Sequence, residues 1–319
     1  MRLSYSQVAK RPALLRRLTG LTVAEFESLC GPFAAQYQQQ VIQPRLTAKH
    51  RVRAVGGGQK GALPEVADKL FFILLYTRIY PLLIVQGLFF DIAESKACKW
   101  VGLLLPVLDG SLGSAHVRPG RAKGRSLEEV IEAFPELQEL GVLIDGTERP
   151  IRRPKEPTQQ QDNYSGKKKR HTRKHITITH PQTQYILAAS EEAPGSTHDK
   201  KMLDESHLTC QVSLPIGADS GFQGLELGNA VVVTPIKRKR KKKGEPKDEL
   251  TPAQKEANTR LAKARISIEH SNAGLKRNRS VADILRNTRV GMSDQLMLVA
   301  IGLHNLRVTM RTSYQHSRI

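Results

Sequence analysis

The sequence has few cysteines and no long apolar run. Cys30, Cys98 and Cys210 are isolated and form no CxxC pair, so we predict neither a disulfide framework nor a zinc site. The longest strongly apolar run covers residues 70–76, far short of the ~20 residues that a membrane helix needs. Residues 1–5 do not begin the apolar stretch of a signal peptide. We therefore expect no membrane partner and a cytoplasmic location.

Negative charge is also scarce relative to positive charge. The 319 residues include 50 Lys and Arg but only 30 Asp and Glu, which gives a net charge of +20. Such a field attracts polyanions and binds them with salt-dependent affinity. Two basic runs hold thirteen of these cations, in residues 167–174 and 237–243. A solvated charge run or a localisation tag would have the same composition. Because both runs flank the acidic residues described below, we favour contacts to the phosphate backbone of DNA, made by Lys167, Lys168, Lys169, Arg170, Lys237, Arg238 and Lys239.

The first 125 residues have the apolar spacing of helices. In residues 1–60, a predicted helical region for dimer or DNA-end contacts, Thr22 and Glu25 form a capping box. In residues 61–125, a short helix over 82–89 and a second helix from Ala93 to about residue 108 indicate a helix-turn-helix DNA-binding domain. A compact three-helix bundle would show similar spacing. The residues expected nearest the DNA bases are Ser95, Lys96 and Lys99.

Residues 126–319 change character and are predicted to form the catalytic domain. A helix over 127–140 precedes strand-like runs of β-branched and apolar residues. The runs cover residues 142–144, 175–179, 184–189, 216–218 and 230–234, and further helices are predicted over 199–208, 252–276 and 293–310. The order predicts an α/β fold, a mixed sheet of RNase H-like topology flanked by helices, after an N-terminal all-α domain.

Three acidic residues stand where this fold would bring them together. Asp145 directly follows the first strand and Asp219 follows the fourth, and open α/β sheets form their sites at such carboxyl ends. Glu269 shares one face of its helix with Arg265, four residues before it, and Lys276, seven residues after it. Two magnesium ions ~4 Å apart can activate water and stabilise a leaving oxygen, and they prefer carboxylate ligands. Arg265 and Lys276 would offset phosphate charge.

Simpler explanations exist for each acid, since an aspartate at a strand end is often a helix cap or a turn residue. Asp199 is an alternative to Asp219 as the second carboxylate. It lies at a predicted helix start, where an N-cap role explains it, and we rank it below Asp219 for that reason. The neighbouring His198 is a secondary candidate, as a general base or as a group that orients another residue by a hydrogen bond.

At these residues the sequence resembles the DDE transposases of bacterial insertion sequences, in the branch related to eukaryotic PIF/Harbinger elements. Upstream, LLYTRIYP (74–81) and LFF (88–90) resemble the family's helix-turn-helix region. The order of several motifs is more specific than any one of them. The matching stretches are LIDGT (143–147), YSGKK (164–168), PGSTHD (194–199), ADSGFQG (218–224) and the spacing Arg265-x3-Glu269-x6-Lys276.

The resemblance implies a DDE triad of Asp145, Asp219 and Glu269 that holds two Mg²⁺ or Mn²⁺ ions per active site. It also implies double-stranded DNA as partner, both transposon ends and target, a homo-oligomer on DNA, and a bacterial, nucleoid-associated location. The enzyme would bind terminal inverted repeats, hydrolyse phosphodiester bonds and join the 3′-hydroxyl ends to target DNA. Ala262 and Phe222 stand where the family commonly has tyrosine. A domesticated or catalytically silent DNA-binding protein of this fold, or a host nuclease, is the alternative.

Overall fold

A computed structural model describes residues 2–47, 61–238 and 249–316, with side chains through Arg311. The chain forms two compact units. The helical unit consists of Met1–Arg118 and Leu275–Ile319, and the sheet unit consists of Pro119–Gly274. Within the described residues, no helix combines the length and the apolar character needed to cross a membrane.

The α-helices of the described residues vary from single turns to long rods. A π-helical turn, Gln38–Ile42, continues the third of them, and a 3₁₀ turn, Ser220–Phe222, lies between the last two strands. The helices are α1 (Tyr5–Ala9), α2 (Pro12–Thr19), α3 (Val23–Tyr37), α4 (Gln43–Leu46), α5 (Val66–Ile79), α6 (Leu83–Phe90), α7 (Glu94–Ser114), α8 (Glu128–Ala133), α9 (Leu137–Leu140), α10 (Pro157–Asn163), α11 (Asp199–Asp204), α12 (Pro252–Leu275), α13 (Arg279–Ala282) and α14 (Met292–His316).

The strands all lie in the sheet unit. The main path of the sheet has the order β1-β5-β4-β2-β7-β8, and β3 and β6 pair with β4 beside this path. Strands β5, β4 and β2 are antiparallel neighbours, whereas β7 and β8 run parallel to β2. The strands are β1 (Gly120–Arg121), β2 (Val142–Pro150), β3 (Tyr164–Ser165), β4 (Arg170–Thr179), β5 (Ile186–Ala189), β6 (Ala193–Pro194), β7 (Pro215–Ala218) and β8 (Val231–Val233). The predicted mixed sheet flanked by helices is confirmed.

Helix α5 is the centre of the helical unit. Every residue from Asp68 to Thr77 is buried, and a helix that is buried all round belongs in the interior of a bundle. Phe72 packs edge-on against Phe90 of α6, with ring centroids 4.9 Å apart. The capping box of Thr22 and Glu25 is present at the start of α3, as the sequence predicted. The long apolar helix therefore organises the N-terminal half of the chain.

The compact units differ from the predicted divisions at residues 60 and 125. Residues 2–47 and 61–118 share one core, whereas residues 119–125 belong to the sheet unit. Helix α14, predicted as part of the catalytic domain, belongs to the helical core as well. The reason is packing at long sequence separation. Leu296, Val299 and Leu303 of α14 are buried in the same cluster as Leu108 and Leu112 of α7. Binding roles for the first two segments stay predictions.

Two other elements differ from their predicted form. The helix predicted over 127–140 is divided into α8 and α9, because Pro135 lacks the amide hydrogen that a continuing helix needs. The strand predicted to be buried over 230–234 is the short edge strand β8. Val231 and Val233 are 54% and 46% exposed, and among the described strands β7 is the one that pairs with β8.

Helices α6 and α7 form the predicted helix pair, and α7 extends to Ser114 rather than residue 108. The turn is tight: the amide of Ile92 donates to the carbonyl of Gly87 at 3.0 Å, and Asp91 has a left-handed φ of 53°. The predicted DNA-facing side chains Ser95, Lys96 and Lys99 are exposed near the start of α7. The pair therefore presents polar residues where the helix-turn-helix prediction needs them.

We predict opposite effects for two glycine-to-alanine changes in this helix pair. A β-carbon at Gly87 would collide with the carbonyl oxygen of Ile92, whereas one at Gly102 in α7 would meet nothing within 4 Å. Gly87→Ala should lower the free energy of unfolding by about 1–3 kcal/mol through overpacking. Gly102→Ala should raise it by about 0.5–1 kcal/mol through helix propensity. Urea unfolding of the full chain measures both, and equal effects would contradict the described turn.

Candidate functional site

Asp145 lies within β2, which continues to Pro150, and Asp219 directly follows the neighbouring parallel strand β7. The prediction that the first strand ends just before Asp145 is therefore wrong. Ile144 of β2 is paired with Ala218 of β7, so the next residue on each strand is the aspartate. Adjacent strands lie about 4.8 Å apart, so both carboxylates emerge at one edge of the sheet. The negative charge of Asp219 contributes to a raised pKa of Asp145. Strands β2 and β7 are therefore direct neighbours.

Asp145 is largely enclosed and has two polar partners on α12. Its side chain is 16% exposed, with Arg265 Nη2 3.4 Å from Oδ1. The amide Nδ2 of Asn272 donates to Oδ2 at 2.9 Å. Burial raises the pKa of Asp145; Arg265 opposes this shift, and Asp219 adds to it. The positive charges of Arg265 and Lys167 therefore do not compensate fully for the burial of the Asp145 carboxylate, and further positive charge at this position would stabilise it.

Asp219 has a structural role that leaves part of its carboxylate available. It is the N-cap of the 3₁₀ turn, and its Oδ1 accepts a hydrogen bond from the amide of Gly221 at 2.7 Å. Among the described residues, Oδ2 accepts no hydrogen bond. A capping role therefore occupies one oxygen and leaves the second for a ligand.

Asp199 lies between the segments that carry the other two aspartates. A β-carbon at Gly146 would lie 3.1 Å from Asp199 Oδ1, and one at Gly221 would lie 2.9 Å from Asp199 Oδ2 and 2.9 Å from Asp219 Oδ1. The expectation that Asp199 caps α11 is wrong, because the N-cap residue is His198. The glycines after Asp145 and Asp219 leave space that the Asp199 carboxylate occupies, and the sequence contains no local signal for this contact.

Lys174 holds Asp199 in this position. Its Nζ lies 2.9 Å from Asp199 Oδ1 and donates to the carbonyl of Thr197 at 2.7 Å. Our assignment of Lys174 to the surface basic run is therefore wrong. Lys174 lies at a buried position of β4, and only 8% of the residue is exposed. Since Lys174 is committed to Asp199, it neutralises part of the acidic site from within the protein.

Glu269 lies on α12 with its side chain exposed. Arg265, four residues before it, and Asn272, three residues after it, both contact Asp145, so all three share the helix face toward that carboxylate. The helix ends at Leu275, so Lys276 is exposed just beyond it. Asn272 is a site residue that the sequence reasoning missed, although its spacing of seven from Arg265 places it on the same face.

The donor atoms of the described site residues suit a hard divalent cation. The oxygens come from carboxylates and from the amide of Asn272, whose buried Oδ1 has no hydrogen-bond partner among the described residues. Oxygen ligands of this kind suit Mg²⁺ or Mn²⁺. Within residues 2–47, 61–238 and 249–316, no three His, Cys, Asp or Glu residues are grouped closely enough to hold one ion. Asp145 and Asp219 are together, and Glu269 stands apart from them on its helix face.

Comparison with known proteins assigns the chain to a family. The model of the DDE superfamily endonucleases matches residues 144–305, just over half of the chain. The chain belongs to the DDE superfamily of endonucleases. A curated relative in Microchaete diplosiphon is described as the probable transposase for insertion sequence element IS702. It is 29% identical over 295 residues, which cover 91% of this chain and 97% of the relative. No solved structure gives a significant match.

Exposed cations lie close to the acids of this DDE endonuclease. Lys167, Lys168, Lys169 and Arg170 are exposed between β3 and β4, and the charge of Lys167 lowers the pKa of Asp145. In the second basic run, Lys237 and Arg238 are exposed, and Lys237 Nζ donates to the carbonyl of Ser220 at 3.1 Å. Lys239 and the following basic residues lie outside the described residues. Both runs therefore begin beside the carboxylate site.

We predict that Gly221→Ala disables this DDE endonuclease without unfolding it. The added methyl group would press on the carboxylates of Asp199 and Asp219, and a displacement of about 1 Å at a reacting site can cost about 10²-fold in rate. Gly31→Ala in α3, where a β-carbon meets nothing within 4 Å, is the matched control. Single-turnover DNA nicking measures the effect. Unchanged nicking by Gly221→Ala would contradict the described contact.

Proposed function

We propose that this DDE endonuclease is a transposase of RNase H-like fold. It would bind the terminal inverted repeats of its element, cleave them by metal-dependent phosphodiester hydrolysis and join the 3′-hydroxyl ends to target DNA. The observation that carries this proposal is the pairing of Ile144 with Ala218, which sets Asp145 and Asp219 side by side at one edge of the sheet. The likeness to the probable transposase of IS702 along nearly the whole chain supports the substrate class.

Asp145, Asp219 and Glu269 are the proposed ligands of two Mg²⁺ or Mn²⁺ ions. Endonucleases of this superfamily typically use divalent metals. When bound, such ions supply an activated water and stabilise the leaving oxygen of an in-line displacement. Asp145 and Asp219 contribute adjacent carboxylates from the sheet. Glu269 contributes the third from the face of α12 that already contacts Asp145 through Arg265 and Asn272.

The neighbouring residues position these acids. Asn272 fixes the orientation of Asp145 through its hydrogen bond, and Arg265 balances charge and is placed to contact a phosphate. Asp199, held by Lys174, is the alternative second ligand because its carboxylate lies against Gly146 and Gly221. His198 is exposed at the start of α11 and has an orienting role in this proposal.

DNA binding would combine sequence readout in the major groove with nonspecific contacts to the phosphate backbone. Ser95, Lys96 and Lys99 at the start of α7 would read the terminal repeats in the major groove. The backbone contacts would come from Lys167, Lys168, Lys169, Arg170, Lys237, Arg238, Lys239, Arg265 and Lys276. Because two element ends must be cut together, we propose a homo-oligomer assembled on DNA of the bacterial nucleoid.

Substitution of the proposed ligands should abolish cutting and preserve binding. Asp145→Asn, Asp219→Asn and Glu269→Gln remove a charge each with little change in shape. We expect a loss of at least about 10³-fold in magnesium-dependent nicking of a duplex that bears the terminal repeat, since charge stabilisation of this kind supplies several kcal/mol. Nicking and DNA affinity are measured on the same protein samples.

Asp199→Asn is the informative comparison, with Asp204→Asn on the exposed side of α11 as its matched control. If Asp219→Asn still cuts and Asp199→Asn does not, then Asp199 is the second ligand. If the wild-type protein binds the repeat and never cuts it or joins it, the catalytically silent alternative replaces the proposed function.

Neutralisation of the first basic run should weaken DNA binding at all sequences alike. Each phosphate contact contributes about 0.9 to the slope of log K against log salt concentration. The double substitution Lys167→Gln with Lys168→Gln should therefore reduce the slope by up to about 1.8. Lys123→Gln, an exposed cation paired with Glu191, is the control. An unchanged slope would contradict a backbone role for this run.

A further inference from the structure

A cluster of arginines lines a cavity built entirely from residues of the helical unit. The cavity has a volume of about 80 Å³, several times the roughly 10–15 Å³ that one water molecule needs. Glu25 is the acidic member of the described lining residues. The basic members come from α2, α5, the segment after α12 and α14, and they are Arg16, Arg78, Arg277, Arg307 and Arg311.

We propose that this cavity is a binding site for a phosphate group. Among the described residues, separate parts of the chain bring five guanidinium groups to one small space with one carboxylate, an excess of four positive charges. Arginine presents a planar fork of donors that matches the oxygens of phosphate. A phosphate group would both accept these hydrogen bonds and relieve the repulsion among the cations.

Two of the cations are held close together inside the unit. Arg307 is only 6% exposed, and a β-carbon at Gly20 would lie 3.4 Å from Arg307 Nη1 and 3.4 Å from Arg78 Cδ. Gly20 ends α2 with a φ of 80°, so the absence of a side chain there suits both the turn and the approach of these two arginines. A cation buried to this degree needs compensating negative charge.

The carboxylate that lies nearby is partly engaged elsewhere. Glu25 Oε2 accepts a hydrogen bond from the amide of Thr22 at 2.7 Å in the capping box of α3. Arg78 Nη1 donates to the carbonyl of Arg277, and Arg311 Nε donates to the carbonyl of Arg307 at 3.0 Å. Both bonds go to backbone carbonyls, so they orient Arg78 and Arg311 at the cavity without adding negative charge.

The titration of the arginines agrees with this geometry. Burial, together with the charges of Arg277, Arg78 and Arg311, lowers the pKa of Arg307 to about 10, against the opposing effect of Glu25. Burial and Arg277 also lower the pKa of Arg78. The cluster thus holds its charges at a cost that a bound anion would offset.

Two ligands could supply this phosphate group, the DNA backbone and a free phosphate ion. The DNA source rests on the proposed function, whereas the free-ion source does not. The test uses the full chain with Arg16→Gln and Arg78→Gln. Arg17→Gln is the matched control, because Arg17 is the next residue of α2, is exposed and is absent from the cavity lining.

The first measurement is DNA affinity between low and moderate salt. If the DNA backbone occupies the cavity, each pocket variant lowers the slope of log K against log salt by about 0.9, and Arg17→Gln does not. The second measurement is the unfolding temperature in potassium phosphate against potassium chloride at equal ionic strength. If free phosphate occupies the cavity, phosphate raises the unfolding temperature of wild type and Arg17→Gln, and the rise is lost in both pocket variants.

Either pattern supports the site and identifies its source. The proposal is overturned if Arg16→Gln and Arg78→Gln behave like Arg17→Gln in both measurements. A cooperative unfolding transition in potassium chloride shows that a variant is folded. Because Arg16 is exposed, Arg16→Gln should disturb the fold less than Arg78→Gln. A wild-type protein that binds no DNA would refute the proposed function. The unfolding measurement in phosphate would still show whether the cavity binds a phosphate ion.

Discussion

The parallel pairing of β2 with β7 is the constraint on which the site depends. Because Ile144 is opposite Ala218, the chain must place Asp145 and Asp219 on adjacent positions at the end of the sheet. Neighbouring carboxylates repel each other, and two like charges about 5 Å apart do so by about 3 kcal/mol at an effective dielectric constant near 20. The fold tolerates this repulsion because Arg265, Asn272 and the amide of Gly221 bind the carboxylate oxygens. The raised pKa of Asp145 shows that the compensation is incomplete.

The surrounding elements are arranged around this pair. Helix α12 brings Arg265 and Asn272 against Asp145 from one face, and the same face carries Glu269. From another side, the buried ion pair of Lys174 with Asp199 occupies the space left by glycines. An acidic centre of this kind, partly neutralised by the protein and still short of positive charge, is what a site for divalent cations and phosphodiester substrate requires.

The sequence was sufficient for the features that local patterns determine. Apolar runs followed by aspartate drew attention to Asp145 and Asp219, although β2 continues through Asp145 to Pro150. Apolar spacing identified the long helices. It was insufficient where contacts join distant segments. Nothing near Lys174 indicates that its side chain turns inward to meet Asp199, twenty-five residues later. The membership of α14 in the helical unit depends in the same way on packing against α7. Pro135, by contrast, was a visible signal for a helix break that we did not use.

The most direct test of the account replaces each carboxylate in turn by the thiolate of a cysteine. Mg²⁺ is a hard ion that binds thiolate poorly, whereas softer ions such as Cd²⁺ accept it readily. We expect Asp145→Cys and Asp219→Cys each to lose DNA nicking with Mg²⁺ and to regain part of it with Mn²⁺ or Cd²⁺, with Asp204→Cys active under all conditions. Nicking by either site variant with Mg²⁺ alone, or no recovery with any softer ion, would contradict the claim that these two adjacent carboxylates hold the catalytic metal.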